Sequence, residues 1–196
     1  MRRRAYHHGD LPAELLAHAE KMVREKGAGA LSLREIARDI GVSPAAPSRH
    51  FRSKQALLDA LALRGFERLA TATEAAREGA DATFAGRLGA VARAYLGFAV
   101  ANGALLDLMF PAGTGAPTSP ELREAARRWS GHLVALVADG QSAGQVRPGA
   151  PERVALPVVA ALYGYARLAV DGVVPPDLAE HGVDDVIESA LRGCRP

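Results

Sequence analysis

Apolar residues recur three and four positions apart along most of the chain, a spacing that places them on one face of an α-helix. The first stretch with this pattern contains Leu11, Leu15, Leu16, Ala19, Met22 and Val23. Later stretches begin near Leu33, Leu57, Phe84, Leu122, Val154 and Val183. Gly, Pro or Asn residues separate these stretches, as expected for loops. The pattern therefore predicts an all-α protein.

Residues 31–58 contain the most specific arrangement of predicted helices. Ser32 followed by Glu35 forms a capping box, in which the hydroxyl and the carboxylate each accept a hydrogen bond from an otherwise unpaired backbone N–H. Gly41 ends this helix, because glycine adopts the left-handed conformation of a C-terminal cap without a Cβ clash. Two short helices joined by such a turn predict a helix-turn-helix, whose second helix lies in the major groove of DNA.

The second helix of this segment has an unusual sequence. Ser43 is expected to cap it, and Pro44 is expected to occupy its first position, where a missing N–H costs nothing. Pro47 removes the first intrahelical hydrogen bond, so an irregular first turn is expected. Ser53 is expected to cap a long third helix, in which Gly65 is either a hinge or a point where another helix crosses closely.

The sequence GVSPAAPSRHFRSKQALL, with its Gly-Val-Ser turn, His-Phe pair and following Lys, resembles the helix-turn-helix core of the TetR family of transcriptional regulators. The similarity to this family extends over residues 6–70. The resemblance implies a three-helix DNA-binding head with the helix-turn-helix in residues 1–52. It also implies a larger helical effector-binding and dimerisation domain in residues 53–196.

The resemblance and the side-chain chemistry together select the residues that are expected to contact DNA. These are Ser32, Pro44, Ala45, Ser48, Arg49, His50 and Lys54. The resemblance implies phosphate contacts for Ser32, His50 and Lys54, and base contacts for the first turn of the second helix. A capping or packing role is the alternative for His50. Arg49 is a candidate bidentate reader of guanine, with a phosphate contact as the alternative. Ser48 stands where the family usually has a Tyr that touches a phosphate, so weaker DNA affinity is expected.

The net charge of +2 conceals an asymmetry between the two parts of the chain. Residues 1–65 contain 12 Lys and Arg against 7 Asp and Glu, whereas residues 66–196 contain 12 against 15. A basic region that coincides with a helix-turn-helix favours binding to nucleic acid. The arm of Arg2, Arg3 and Arg4 either follows DNA phosphates or is a solvated tail.

Other classes of protein are disfavoured by what the sequence lacks. Cys194 is the single cysteine, so neither an internal disulfide nor a cysteine metal cluster is expected, and no metal or cofactor is predicted. No run of about 18 apolar residues and no apolar segment after the first charges is present, so a cytoplasmic protein without a membrane span is expected. No nucleophile elbow or metal-ligand spacing is found, which argues against an enzyme.

Aromatic and Met side chains on helical stripes of the second domain are candidates for an effector pocket. They are Phe84, Tyr95, Phe98, Met109, Phe110 and Trp129. Each is also compatible with a place in the hydrophobic core. Few charged residues lie among them, so an apolar or neutral small molecule is expected, with Asp107 and His132 as polar contacts.

Helices over residues 152–172 and 183–193 are candidates for a homodimer interface. The first is apolar over most of its surface and must be buried, and its small residues allow a second helix to approach closely, namely Ala160, Ala161, Gly164 and Ala166. In the TetR family the corresponding helices of two subunits form a four-helix bundle. Burial within one subunit is the alternative. A dimer also lets two recognition helices reach successive major grooves, about 34 Å apart.

Together these features predict a homodimeric, ligand-responsive repressor that a small molecule releases from a palindromic operator in double-stranded DNA. Two alternatives remain open at this point. One is a ligand-binding protein that has lost operator binding, which Pro47 and Ser48 suggest. The other is a transcriptional activator. The effector, the operator sequence and the regulated genes are not specified by the sequence.

Overall fold

A computed structural model describes residues 11–111 and 119–196. Every regular element in these ranges is a helix, so the predicted all-α fold is confirmed. Helices α1 to α8 span Leu11–Lys26, Leu33–Asp39, Lys54–Glu78, Phe84–Ala101, Gly103–Met109, Pro120–Ser142, Pro151–Val170 and Pro176–Cys194. Short 3₁₀ turns lie at Ala28–Ala30 and Pro47–Arg49. The arm predicted from Arg2, Arg3 and Arg4 lies outside the described residues.

The chain divides into two compact units. The head unit comprises the described parts of Met1–Gly65 and Ala104–Leu122, and the body unit comprises Phe66–Gly103 and Arg123–Pro196. Helix α3 supplies residues to both units. In the head unit, α1, α2 and α3 bury apolar side chains that include Leu15, Ala19, Met22, Ile36, Leu57 and Leu61.

Helix α2 begins at Ser32, as predicted, and the Ser32 Oγ accepts a hydrogen bond from the backbone N–H of Glu35 at 3.4 Å. The predicted return bond of the capping box is wrong, because the Glu35 carboxylate accepts from Lys26 Nζ at 2.9 Å instead. This bond joins α1 to α2, and through it Glu35 raises the pKa of Lys26. Gly41 follows the helix with a φ of 76°, a left-handed conformation that confirms its predicted role as a cap.

In the body unit, α4, α7 and α8 pack against one another. Their buried side chains include Leu88, Ala92, Leu96, Val158, Leu162, Ala166 and Ile187. Helix α7 agrees closely with the segment predicted over 152–172. Helix α8 is longer than the predicted 183–193, because Pro176 occupies its first turn, where a proline is tolerated.

Helix α7 is long and apolar enough to cross a membrane, and α4 with α5 would be a second candidate if the two were one broken span. No such segment was expected from the sequence. By itself one such helix is weak grounds for a membrane location, since an apolar helix buried in a soluble protein has the same composition. Only 28% of the most apolar window of α7 is buried within the chain, so much of this helix presents an apolar surface to the outside.

Gly65 lies in α3 at a point where α5 packs closely against it. A Cβ at this position would lie 2.6 Å from Sδ of Met109 and 3.1 Å from Cγ of Leu105. Both side chains are buried. Of the two predicted roles of Gly65, the structure therefore supports the close crossing of another helix.

Replacing Gly65 with Leu is expected to lower the free energy of unfolding by about 1–3 kcal/mol, because extra atoms in a filled contact force neighbouring side chains to move. Chemical denaturation of the full chain measures the change. Gly97→Leu in α4 is the matched control, since an added Cβ there meets nothing within 4 Å. A Gly65→Leu protein as stable as the wild type would contradict the close packing.

Candidate functional site

Residues 43–50, the recognition segment, do not form the predicted α-helix. The N–H of Ala46 donates to the Ser43 carbonyl at 2.9 Å, and the N–H of His50 donates to the Pro47 carbonyl at 3.0 Å. Both bonds span three residues and are typical of tight turns. Pro47 explains the difference, because it has no N–H to donate to the Ser43 carbonyl. The expected irregular first turn extends over the whole segment.

Pro47 is wholly buried and anchors this segment in the head unit. The neighbouring side chains that were predicted to contact DNA are exposed, namely Pro44, Ala45, Ser48, Arg49 and His50. Sequence reasoning left open a packing role for His50, which its exposure does not favour. A short exposed segment thus carries five of the seven predicted DNA-contacting residues.

Ser32 and Lys54, the other two predicted DNA contacts, are half-buried and have partners within the head unit. Ser32 caps α2, as described above. Lys54 Nζ donates to the Gly29 carbonyl at 2.6 Å, which ties the start of α3 to the 3₁₀ turn after α1. The Ser53 Oγ accepts from the N–H of Ala56 at 3.1 Å, so the predicted cap of this helix is confirmed. An ammonium group has three N–H donors, so this bond leaves Lys54 able to contact a phosphate as well.

Replacing Lys54 with Met is expected to lower the free energy of unfolding by about 1 kcal/mol, because the bond to the Gly29 carbonyl is lost. It is also expected to reduce the slope of log affinity for DNA against log salt concentration by about one for each subunit, as for one lost phosphate contact in each head. Denaturation and DNA titrations at several salt concentrations measure the two effects. Lys21→Met, which affects only an exposed pair with Glu25, is the control. Unchanged values for both quantities would contradict the role of Lys54.

The structure brings together two of the six predicted effector-pocket residues. The rings of Tyr95 and Trp129 stack with centroids 5.9 Å apart, and the Trp129 ring meets His132 edge-on at 6.2 Å. Burial raises the pKa of the Tyr95 hydroxyl well above its ordinary value, Tyr163 raises it further, and Arg167 lowers it. Tyr163 and Arg167 of α7 therefore lie within electrostatic range of this hydroxyl. We call Tyr95, Trp129, His132, Tyr163 and Arg167 the phenol cluster.

Sequence reasoning missed Tyr163 and Arg167, because α7 was assigned to a dimer interface as a whole. Their signal in the sequence is a pair of polar residues four positions apart in an otherwise apolar helix, which places them on one helix face. His132 was predicted as a polar contact, and the structure does place it beside Trp129.

The other four predicted pocket residues have contacts of their own. Phe84 is a core residue beside Gly140, where an added Cβ would lie 2.9 Å from its ring. Phe98 is half-buried, with the Arg68 guanidinium 5.8 Å from its ring centroid. Met109 and Phe110 belong to the head unit.

Among the side chains that the structure describes, no group of three His, Cys, Asp or Glu residues could hold a metal ion. Cys194 is buried at the end of α8, and burial raises the pKa of its thiol. A raised pKa disfavours the thiolate, which is the reactive form.

Two family descriptions match the chain. Residues 15–61 match the family described as bacterial regulatory proteins of the tetR family, and residues 88–193 match the tetracyclin repressor-like C-terminal domain. The second match alone covers more than half of the chain.

Known relatives agree with these matches. An HTH-type transcriptional regulator from Mycobacterium tuberculosis is 30% identical over 140 residues, which are 70% of this chain and 60% of that protein. The chain thus spans about 60% of the length of the curated relatives it matches. A solved protein of unknown function from Rhodococcus sp. RHA1 is 40% identical, with a TM-score of 0.86 over 99% of this chain and 100% of that one. A tetR family regulatory protein from Rhodococcus RHA1 is 25% identical, with a TM-score of 0.69 over 94% and 97%.

Proposed function

The chain belongs to the TetR family of bacterial regulatory proteins, and on this premise we propose that it is a homodimeric transcriptional repressor that a small molecule releases from a palindromic operator. We assign DNA binding to residues 1–52, and effector binding and dimerisation to residues 53–196. Membership in a family of DNA-binding regulators agrees with the expectation that the chain is not an enzyme. Operator binding would place the protein in the cytoplasm with the chromosome.

The recognition segment is the observation that carries this proposal. Its buried Pro47 fixes the backbone, while Ser48, Arg49 and His50 point outward and are exposed. The segment follows α2 and precedes α3, as the second element of a helix-turn-helix does. Side chains held in this way can approach base edges and phosphates at the same time.

Dimerisation is supported by the outer surface of α7. Leu156, Ala160, Ala161, Gly164 and Leu168 recur at helical spacing and form what we call the apolar α7 face. Leu156 is 66% exposed and Leu168 is 46% exposed, and a Cβ added at Gly164 meets nothing within 4 Å. A contiguous exposed apolar surface on a soluble protein marks an interaction site. A second copy of the chain is the occupant that also gives the head units the two-fold symmetry of a palindromic operator.

Helix α3 is the proposed lever for release from DNA, because it supplies residues to both units. A ligand changes DNA affinity only if it binds the DNA-free conformation more tightly than the bound one. Binding of the ligand to the body unit would then shift the dimer toward a conformation in which the two heads do not fit successive major grooves.

A second candidate function is a ligand-binding protein with weakened operator affinity. The irregular recognition segment and the exposed Ser48 favour it, since both change contacts that position the protein on DNA. Activation is distinguished from repression by deleting the gene, which would lower target expression instead of raising it.

Selection of duplexes from a random library by the purified full chain tests the proposal. Enrichment of a palindrome with half-sites about one helical turn or a multiple of it apart is the expected result. Failure to enrich any sequence, with the protein folded, would overturn operator binding and favour the second candidate.

A further inference from the structure

The recognition segment turns in the sense of an α-helix, although its hydrogen bonds differ from those of one. Ala46 and His50 both have backbone angles in the right-handed helical region. The N–H of Arg49 donates to the Ala46 carbonyl at 3.2 Å. The Pro47 carbonyl accepts from the N–H of His50 at 3.0 Å and from that of Phe51 at 2.8 Å. Because only the last of these bonds spans four residues, the second half of the segment is wound more tightly than an α-helix.

Pro47 accounts for this tighter winding through the bond that it cannot form. In a regular helix the N–H of residue 47 would donate to the Ser43 carbonyl, four residues earlier. Proline has no N–H, and the Ser43 carbonyl accepts from the N–H of Ala46 at 2.9 Å instead. The Pro47 ring is wholly buried, so packing holds the backbone at this point in addition to the fixed φ of a proline.

The side chains that face outward come directly after this fixed point. Ser48 and Arg49 are exposed, whereas Ala46, which precedes Pro47, is half-buried. A 3₁₀ turn rotates successive side chains by about 120° and an α-helix by about 100°. Two residues beyond Pro47, the direction of the Arg49 side chain therefore differs by about 40° between the two forms.

This rotation is large compared with the spacing of base pairs. At the outer radius of a helix with its side chains, about 5–6 Å, a rotation of about 40° moves a group by about 4 Å. Neighbouring base pairs are about 3.4 Å apart along the duplex. Hydrogen bonds to base edges require donor–acceptor distances of about 2.7–3.2 Å, so a shift of this size changes which base can be read.

We propose that Pro47 is a positioning residue for DNA recognition, which sets the base pair in each half-site that Arg49 contacts. It acts through the direction of the Arg49 side chain and does not itself touch DNA, since its ring is buried in the head unit. The inference rests on the proposed function, because it concerns how the same regulator reads its operator.

Two substitutions that supply the missing N–H test this role. Pro47→Ala and Pro47→Val both allow a bond from residue 47 to the Ser43 carbonyl, and they differ in volume, so an effect that both share does not arise from a cavity. Duplexes selected from a random library by the wild type and by each variant give the preferred operators. Both variants are expected to exchange the wild-type preference at one position of each half-site for a preference at a neighbouring base pair. They should bind the wild-type operator about tenfold more weakly than their own.

Pro120→Ala is the matched control. Pro120 is the first residue of α6 and is exposed, and a missing N–H at that position costs nothing, so its replacement should leave the selected operator unchanged. Selection of the wild-type operator by folded Pro47→Ala and Pro47→Val proteins, with the same preference at every position, would overturn the inference. A loss of affinity that is equal for all sequences would also overturn it, since that result indicates damage to the segment as a whole.

A double-variant cycle shows whether Pro47 acts through Arg49. In an Arg49→Ala background, Pro47→Ala is expected to produce no further change of the preferred bases, because the side chain whose direction it alters is absent. A merely structural role would lower the melting temperature equally in both backgrounds and leave the preferred bases alone. A change of preference by Pro47→Ala that persists without Arg49 would contradict the assignment.

Failure of this inference is separable from failure of the proposed function. If the wild type selects a palindromic operator and both Pro47 variants select the same one, the role of Pro47 is wrong and the regulator stands. If the folded wild type selects no duplex, operator binding itself is wrong, and the inference that rests on it is wrong as well.

Discussion

Leu156→Asp is expected to convert the dimer to a monomer and to lower operator affinity by about a hundredfold or more. Leu156 is 66% exposed at one end of the apolar α7 face. Burial of a leucine contributes about 1.5–3 kcal/mol, and in a two-fold interface each substitution acts twice. An aspartate at the same position also places two unpaired carboxylates in an apolar contact, which adds a desolvation cost.

The loss of DNA affinity follows from the loss of the dimer. Two linked heads bind an operator with an advantage of about 100–10,000-fold over one head, because binding of the first brings the second to its half-site. Sedimentation gives the oligomeric state, and fluorescence anisotropy gives the affinity for the operator.

Val100→Asp is the control for the change of charge. Val100 is an apolar residue of α4 with 62% exposure, so the substitution is similar but lies outside the apolar α7 face. It should leave both the dimer and the DNA affinity intact. A Leu156→Asp protein that remains dimeric would show that the subunits associate through another surface.

Arg49→Ala is expected to lower operator affinity by about 1–3 kcal/mol for each half-site. Arg49 is exposed in the recognition segment, next to Pro47, which holds the backbone of the segment in place. A guanidinium in this position can form two parallel hydrogen bonds to guanine, or it can bind a phosphate.

Competition with altered operators distinguishes between the two possible contacts of Arg49, to a guanine base or to a phosphate. If it reads a base, the variant loses discrimination at one position of each half-site, whereas loss of a phosphate contact weakens binding to all sequences equally. Arg24→Ala, at an exposed arginine in α1 outside the helix-turn-helix, is the control and should retain wild-type affinity. If Arg49→Ala binds with wild-type affinity, the recognition segment does not lie in the DNA interface.

The sequence predicted those helices whose limits are set by local chemistry. Ser32 and Ser53 cap α2 and α3, and Gly41 ends α2, because each role depends on one side chain and its own backbone. Helix α7 was predicted from its apolar composition alone. The residues that carry these signals lie within or next to the helix whose limits they determine.

The recognition segment was only partly predictable. The effect of Pro47 on one hydrogen bond follows from its chemistry, but its complete burial depends on packing in the head unit. That packing holds the entire segment in tight turns. The pairing of Glu35 with Lys26 was missed because it also depends on packing in the head unit. The two residues are nine positions apart in the sequence and lie on different helices.

The phenol cluster was predicted only in part, because its members come from α4, α6 and α7. Tyr95, Trp129 and His132 were candidates from the sequence, whereas Tyr163 and Arg167 of α7 were missed. Aromatic residues on helical stripes are equally compatible with a core and with a pocket, and Phe84 proved to be a core residue. What distinguishes Tyr95 is its stacking on Trp129, with ring centroids 5.9 Å apart, and this contact is a property of the folded chain.

Binding of the full chain to DNA from its own upstream region, measured by fluorescence anisotropy at two salt concentrations, tests the central claim most directly. A repressor is expected to bind tightly at low salt and to lose affinity steeply as salt rises, because each phosphate contact releases counterions. Unlabelled operator should displace the complex, whereas unrelated duplex should not. Absence of binding to this and to any selected duplex, by a folded dimeric protein, would contradict the claim that this chain regulates transcription by binding an operator.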